Sequence, residues 1–161
     1  MAREEVYVNM MVDTLERKKS ILETILHQTR EQETLLKDEE MDIDVFQQII
    51  DAKGKEIEEL NQMDEGFDTL FRHVEKEINE NRENYRSQIQ KMQHLIREVS
   101  ELGIRIQALE HQNSGHFKIY LANQKKTVRN FYTNNRTAAN YYQNMANAHK
   151  PGQSYFFNEE K

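Results

Sequence analysis

Apolar residues recur at alternating intervals of three and four along most of this 161-residue chain. An α-helix completes a turn in 3.6 residues, so this spacing is typical of amphipathic helices. The first series consists of Val8, Met11, Leu15, Leu22, Ile25 and Leu36, with the polar residues Lys18, Thr29 and Gln32 at the remaining positions. It predicts a helix over about residues 5–39, roughly 50 Å long.

A second series with the same spacing predicts a second helix over residues 44–78. Its members are Phe46, Ile50, Ile57, Leu60, Phe67, Phe71, Val74 and Ile78, with Lys53 and Asp64 as polar members. The acidic stretch 39–44 predicts a short turn, in which Asp42 or Asp44 caps the second helix and Gln47 is the capping-box partner of Asp44. The two helices are expected to form an antiparallel hairpin.

The third series resumes after the polar stretch 79–84 and predicts a helix over residues 82–112. Its members are Tyr85, Ile89, Met92, Ile96, Val99, Ile106 and Leu109. Asn113, Ser114 and Gly115 are typical of a turn, so residues 113–116 are expected to separate this helix from a fourth helix over 117–148. The alternative is one continuous helix of about 100 Å.

The composition supports a fold built only from helices. The chain has one proline and five glycines, and its charged residues (31%) nearly equal its apolar residues (37%), which suits a thin bundle better than a sphere. We predict an all-α fold, an elongated antiparallel bundle of three to four long helices with coiled-coil-like packing. Residues 1–148 would form this single domain, and 149–161 a flexible aromatic tail, since Pro151 and Gly152 end the last helix.

The charge is distributed unevenly. Residues 1–110 carry 15 basic and 26 acidic residues, whereas 111–158 contain six basic residues and no acid. The basic final third either pairs with the acidic body of its own chain or contacts a partner. As in some nucleic-acid sites, basic residues interleave with aromatic ones here, namely Lys125, Lys126, Arg129 and Arg136 with Phe131 and Tyr132. The acidic body would repel a polyanion, so no nucleic acid is expected as a partner.

The sequence offers little for catalysis or for metal binding. It has no cysteine, and none of its six histidines has a glutamate three residues before it, as a di-iron bundle requires. Glu23, His27 and Glu31 share one helical face and are interpreted as a surface ladder of charges. We expect no enzyme activity, no metal and no cofactor. The absence of a signal-like segment, and of an apolar run of about 20 residues, predicts a cytoplasmic location without membrane insertion.

One stretch carries a family resemblance. Residues 31–63, EQETLLKDEEMDIDVFQQIIDAKGKEIEELNQM, resemble the FlgN-type flagellar export chaperones. In that family a helix ends in Glu followed by Leu-Leu, an acidic turn follows, and the next helix places a Lys between apolar positions. The matching positions are Leu35, Leu36, Asp38, Ile49, Lys53, Ile57 and Leu60. The C-terminus is similar in Gly152, Ser154, Phe156 and Lys161, whereas residues 80–148 match only in being helical.

The resemblance implies a chaperone of the flagellar type III secretion system. Such a protein binds the helical C-terminal segments of hook-filament junction proteins, prevents their premature assembly and delivers them to the export gate. In the family the C-terminal helix tends to hold the client, and a tyrosine near the end acts at the gate. The gate contact would fall to Tyr141 or Tyr142, although Tyr132 lies in the same region.

The hypothesis for the client-binding stripe rests on the apolar and aromatic residues of the final third. Its members are Val128, Phe131, Tyr132, Tyr142 and Met145. The competing interpretation is that the same stripe closes the bundle. Tyr155, Phe156 and Phe157 are expected to cover the empty client groove.

A structural or adaptor coiled-coil protein, which self-associates without a client, is the alternative from another class. The polar seam residues, such as Lys18, Lys53 and Asp64, argue against a permanent oligomer. The sequence leaves open whether the free protein is a monomer or a weak homodimer.

Overall fold

A computed structural model describes residues 3–124, which form three long helices: α1 (Arg3–Leu36), α2 (Ile43–Glu80) and α3 (Arg86–Gln124). A short 3-10 helix, Arg82–Tyr85, precedes α3, and this part of the chain contains no strand. The prediction of an all-α helical bundle is confirmed. None of these helices contains an apolar stretch long enough to cross a bilayer.

Side-chain contacts between helices show the directions of the three helices. Residue numbers increase in opposite directions along α1 and α2, and in the same direction along α1 and α3. The contacts are Arg17–Glu59 and Gln32–Lys53 between α1 and α2, and Glu16–Lys91 and Lys19–Glu98 between α1 and α3. The expected antiparallel hairpin of the first two helices is therefore present, and α3 returns alongside α1.

The turn between α1 and α2 is held by its own aspartates. The Asp38 carboxylate accepts a hydrogen bond of 2.9 Å from the backbone N–H of Glu40. Asp42 is the N-cap of α2, and its Oδ1 accepts from the N–H groups of Asp44 (3.0 Å) and Val45 (3.4 Å). Of the two predicted caps, Asp42 is therefore the correct one.

The predicted capping box between Asp44 and Gln47 is wrong. The Gln47 side chain instead donates to the Asp51 carboxylate, 3.0 Å away and one turn further along α2. Because Asp42 already serves the exposed N–H groups, α2 begins two residues earlier than an Asp44 cap would allow.

The core consists of three apolar clusters stacked along the bundle. The proximal cluster contains Val8, Met11, Val12, Leu15, Phe67, Val74, Ile78, Tyr85, Ile89, Met92, Leu95 and Ile96. The central cluster contains Ile21, Leu22, Ile25, Leu26, Ile57, Leu60, Val99 and Ile106. The distal cluster, beside the α1–α2 turn, contains Met41, Phe46, Ile50, Phe117 and Leu121. All three helices contribute buried residues to the proximal and central clusters. In the distal cluster the buried residues come from α2, α3 and, through Met41, the turn between α1 and α2.

The predicted break at residues 113–116 is wrong, because α3 continues through them to Gln124. The Asn113 side chain is buried and donates a hydrogen bond of 3.0 Å to the carbonyl oxygen of Thr29 on α1. Phe117 is also buried, stacked against Phe46 of α2. These tertiary contacts outweigh the turn preference of the Asn-Ser-Gly sequence. Residues 117–124 thus belong to α3, and the rest of the predicted fourth helix lies outside the described residues.

The continuity of α3 predicts the effect of Gly115→Ala. A Cβ atom at Gly115 would meet no other atom within 4 Å, and the glycine is exposed on the helix surface. Alanine is favoured over glycine inside a helix, so we expect this substitution to raise the free energy of unfolding by about 0.5–1 kcal/mol. Urea unfolding followed by circular dichroism measures it. A loss of stability would mean that Gly115 occupies a turn after all.

Candidate functional site

Within residues 3–124, two layers built around a buried, ion-paired lysine interrupt the apolar seam of the bundle. The proximal polar layer, between the proximal and central clusters, consists of Lys18 and Asp64. The distal polar layer, between the central and distal clusters, consists of Thr29, Gln32, Lys53, Glu110 and Asn113. Lysine and glutamate are rarely buried unless they are paired, so each layer needs its own set of partners.

Lys53 is the centre of the distal polar layer. It projects from α2, and its ammonium group donates to Gln32 Oε1 of α1 at 2.6 Å and to the Glu110 carboxylate of α3. The side chains of Lys53 and Glu110 are each only 6% exposed. One buried cation therefore connects all three helices.

Two further groups extend this layer between α1 and α3. The Thr29 hydroxyl lies 2.7 Å from the carbonyl oxygen of Ile25 and 3.3 Å from Glu110 Oε1. Asn113, one turn beyond Glu110, donates to the Thr29 carbonyl oxygen. A buried asparagine in a helical seam favours one alignment of its helices, because a shifted alignment would leave the amide without a partner.

Burial and pairing shift the pKa of Lys53 in opposite directions. Removal from water lowers the pKa of Lys53, and the attraction and hydrogen bond of Glu110 raise it in part. The net direction is downward, because desolvation of a charged group in the interior is costly. The distal polar layer thus fixes the packing of the helices at a cost in free energy.

The proximal polar layer is closer to solvent. Lys18 on α1 is 2% exposed and donates to the Asp64 carboxylate on α2 at 2.5 Å, whereas the Asp64 side chain is 40% exposed. Burial again lowers the pKa of Lys18, and Asp64 raises it in part. Because water reaches the Asp64 carboxylate, the attraction between Lys18 and Asp64 is screened more strongly than that between Lys53 and Glu110.

At the distal end, aromatic rings connect α2 with α3. The rings of Phe46 and Phe117 are parallel, with centroids 4.7 Å apart, and Tyr120 lies next to Phe117 at 5.9 Å. The backbones of α2 and α3 approach each other less closely than either approaches α1. Long side chains from both helices therefore bridge the wider α2–α3 interface.

A cleft of about 450 Å³ opens beside this cluster, between the α1–α2 turn and the last turns of α3. We call it the distal cleft, and its lining residues are Leu36, Lys37, Asp38, Glu39, His116, Ile119, Tyr120 and Asn123. The Ile119 side chain is 62% exposed there. The cleft therefore combines apolar side chains with a charged rim, as surfaces that receive another polypeptide often do.

The predicted site residues lie outside the described part of the chain. This applies to the client-binding stripe (Val128, Phe131, Tyr132, Tyr142, Met145), the gate tyrosines (Tyr141, Tyr142) and the tail residues (Tyr155, Phe156, Phe157). Of the positions that carry the family resemblance, Lys53, Ile57 and Leu60 are buried in the seam. Leu35 and Leu36 are half-buried against the distal cluster.

Sequence reasoning missed Glu110, Asn113 and Phe117 as interior residues of α3. The spacing from Ile106 to Glu110, Asn113 and Phe117 continues the alternation of four and three, which was the available signal. A buried lysine at position 53 also requires a carboxylate opposite it.

The charge ladder Glu23, His27 and Glu31 lies on the outer face of α1. His27 and Glu31 are 3.1 Å apart with side chains 76% and 50% exposed. Within residues 3–124, no group of three or more histidine, aspartate or glutamate side chains is arranged to hold a metal ion.

Comparisons with models of protein families, with curated proteins and with solved structures gave no match to this chain.

Proposed function

We propose that this protein is a cytoplasmic export chaperone of the flagellar type III system and not an enzyme. It binds the helical C-terminal segments of hook-filament junction proteins, prevents their premature assembly and delivers them to the export gate. The observation that carries this proposal is the distal cleft, where the exposed Ile119 and the half-buried Leu36 and Tyr120 lie at the end of the bundle, next to the point where the basic, aromatic final third begins.

The cleft suits the apolar stripe of a helix. Leu36 and Tyr120 pack against the distal cluster on one side and line the cleft on the other, so part of the cleft wall is apolar. Subunits that polymerise through terminal helices carry amphipathic stripes before assembly, and such a stripe is recognised by helix-in-groove packing. In this proposal Val128, Phe131, Tyr132, Tyr142 and Met145 of the final third complete the surface that holds the client.

Release at the gate requires a binding energy that remains moderate. A mobile client segment loses conformational entropy when it becomes ordered, which lowers the affinity for a given interface area. The gate contact is assigned to Tyr141 or Tyr142, at a distance along the chain from the described bundle. No cofactor is needed for this cycle of binding and transfer.

The alternative is a self-associating structural or adaptor coiled-coil protein. Lys18 and Lys53 occupy seam positions that an obligate oligomer would usually fill with apolar residues, and both form their ion pairs within one chain. Their partners, Asp64 and Glu110, come from the same bundle, so these charges need no second copy.

A binding experiment with full-length variants tests the proposal. In a pull-down, the 161-residue protein is the bait in cytosol from flagellated cells. In a separate calorimetric titration, the purified protein is mixed with purified hook-filament junction proteins. We expect Val128→Asp combined with Phe131→Asp to weaken binding by at least about tenfold, because each charge would be placed in an apolar contact.

The matched control is Ile104→Asp, which places the same charge at an apolar residue of α3 that is 55% exposed and far from the distal cluster. It should leave the affinity unchanged. The proposal would be contradicted if no junction protein were recovered with the bait, or if all variants bound the junction proteins equally. Recovery of untagged copies of the same protein, and of nothing else, would favour the coiled-coil alternative.

A further inference from the structure

The turn between α1 and α2 is the most concentrated acidic surface near the end of α3. Five exposed carboxylates lie within seven residues, at Asp38, Glu39, Glu40, Asp42 and Asp44. None of the ion pairs among residues 3–124 involves any of them. Their only basic neighbour in the turn is Lys37, so the rim of the distal cleft carries a net negative charge.

Two of these carboxylates have a structural role and three are available for contacts. Asp38 and Asp42 accept hydrogen bonds from backbone N–H groups of the turn and of the first turn of α2. Glu39 and Glu40 project from the turn without such bonds. Charges can therefore be reversed at Glu39 and Glu40 without removing the bonds that hold the turn.

The chain continues directly from this place. The last described residue, Gln124, directly follows Asn123 of the cleft wall, and the sequence continues from there with residues 125–161. The first twelve of these residues contain four basic and three apolar or aromatic side chains and no acid: Lys125, Lys126, Arg129, Arg136, Val128, Phe131 and Tyr132. Because each residue spans at most about 3.5 Å, this segment begins within reach of the whole cleft.

We propose that the distal cleft is the docking site of the chain's own segment 125–136. The basic residues of the segment lie against Glu39 and Glu40, and its apolar residues cover Leu36, Ile119 and Tyr120. The attraction between the two charged surfaces is enhanced because they belong to one chain, which gives the segment a high effective concentration at the cleft. One consequence rests on the proposed function: a client that uses Val128 and Phe131 must first displace this contact.

A spin label at the rim of the cleft tests the docking in the full chain. The protein has no cysteine, so Lys37→Cys provides a single attachment site for a nitroxide. In the ¹⁵N-labelled protein, we expect the label to abolish the amide signals of residues 125–136 at low salt. The signals should return in about 1 M NaCl, where the screening length falls to about 3 Å.

Charge reversal makes the test specific. Glu39→Lys with Glu40→Lys should restore the signals of segment 125–136, and adding Lys125→Glu with Lys126→Glu should abolish them again. The matched control, Glu58→Lys with Glu65→Lys, makes the same change in net charge at two exposed positions of α2, and its spectrum should retain the effect of the label.

Two outcomes would overturn the proposal. One is that the signals of segment 125–136 are unaffected by the label. The other is that a ¹⁵N-labelled chain without nitroxide loses them when mixed with an unlabelled chain that carries it, since the segment would then dock on a second copy. No junction protein is present in this experiment, so its failure is distinct from a failure of client binding.

Discussion

Glu110→Leu is expected to lower the free energy of unfolding by about 3–5 kcal/mol, although it introduces an apolar residue into the interior. The reason is that Lys53 would keep its charge, only 6% exposed, and lose the carboxylate that neutralises it. Gln32 would remain as a neutral acceptor at 2.6 Å, which compensates a buried ammonium group only in part. Urea unfolding at neutral pH, followed by circular dichroism, measures the change.

The double variant Lys53→Met with Glu110→Leu separates the pair from its members. It removes both charges and keeps similar volumes, so we expect its stability to match that of the unmodified protein or to exceed it by about 1–4 kcal/mol. Glu101→Leu changes an exposed glutamate of the same helix and should shift the stability by no more than about 0.5 kcal/mol. A loss below about 1 kcal/mol for Glu110→Leu would show that Lys53 finds water or another partner.

The pH dependence of Glu110→Leu follows from the sign of the Lys53 pKa shift. Burial lowers the pKa of Lys53 from its ordinary value of 10.5, and loss of the glutamate lowers it further. At a pH between the folded-state and the unfolded-state pKa, the unfolded chain binds more protons than the folded chain. The free energy of unfolding therefore rises with pH in this range. Lys53 of the folded chain releases its proton at a lower pH in Glu110→Leu than in the unmodified protein, so the deficit is expected to shrink with rising pH between these two folded-state pKa values, both below 10.5, and to stay constant above them.

The helices could be predicted from the sequence because the apolar spacing is regular and long. The same spacing placed Lys18, Thr29, Gln32 and Lys53 in the seam, and all four are buried. Helix ends were less predictable. α1 ends at Leu36 rather than near residue 39, because Asp38 and its neighbours form the turn.

The pairing inside the seam could not be read from spacing alone. A lysine at a seam position requires a partner, but which of 28 acidic residues provides it depends on how α3 aligns with α2. The predicted break at residues 113–116 also hid the continuation of the seam from Glu110 to Asn113 and Phe117. The local preference against a helix, about 0.5–1 kcal/mol for Gly115, is outweighed by the burial of Phe117, while the hydrogen bond of Asn113 to Thr29 offsets the burial of its amide.

Phe46→Ala is expected to lower the free energy of unfolding by about 3–5 kcal/mol. Phe46 is fully buried and stacks on Phe117, so truncation would remove apolar contacts and leave a cavity between α2 and α3. The backbones are comparatively far apart there, which limits how well the helices can close the space. The adjacent substitution Val45→Ala, at a residue 39% exposed, should change stability by no more than about 0.5 kcal/mol.

Hydrogen exchange shows where the effect of Phe46→Ala is concentrated. The distal polar layer separates the distal cluster from the rest of the core. The variant should therefore raise the exchange rates of the amides of residues 41–50 and 113–121 more than those of the proximal cluster. A double-mutant cycle with Phe117→Ala should give a coupling of about 0.5–1.5 kcal/mol for the stacked rings. Because Leu36 and Tyr120 pack on this cluster and also line the distal cleft, the variant should also weaken docking of segment 125–136 in the spin-label experiment. Uniform acceleration of exchange along all three helices would contradict a separate distal unit.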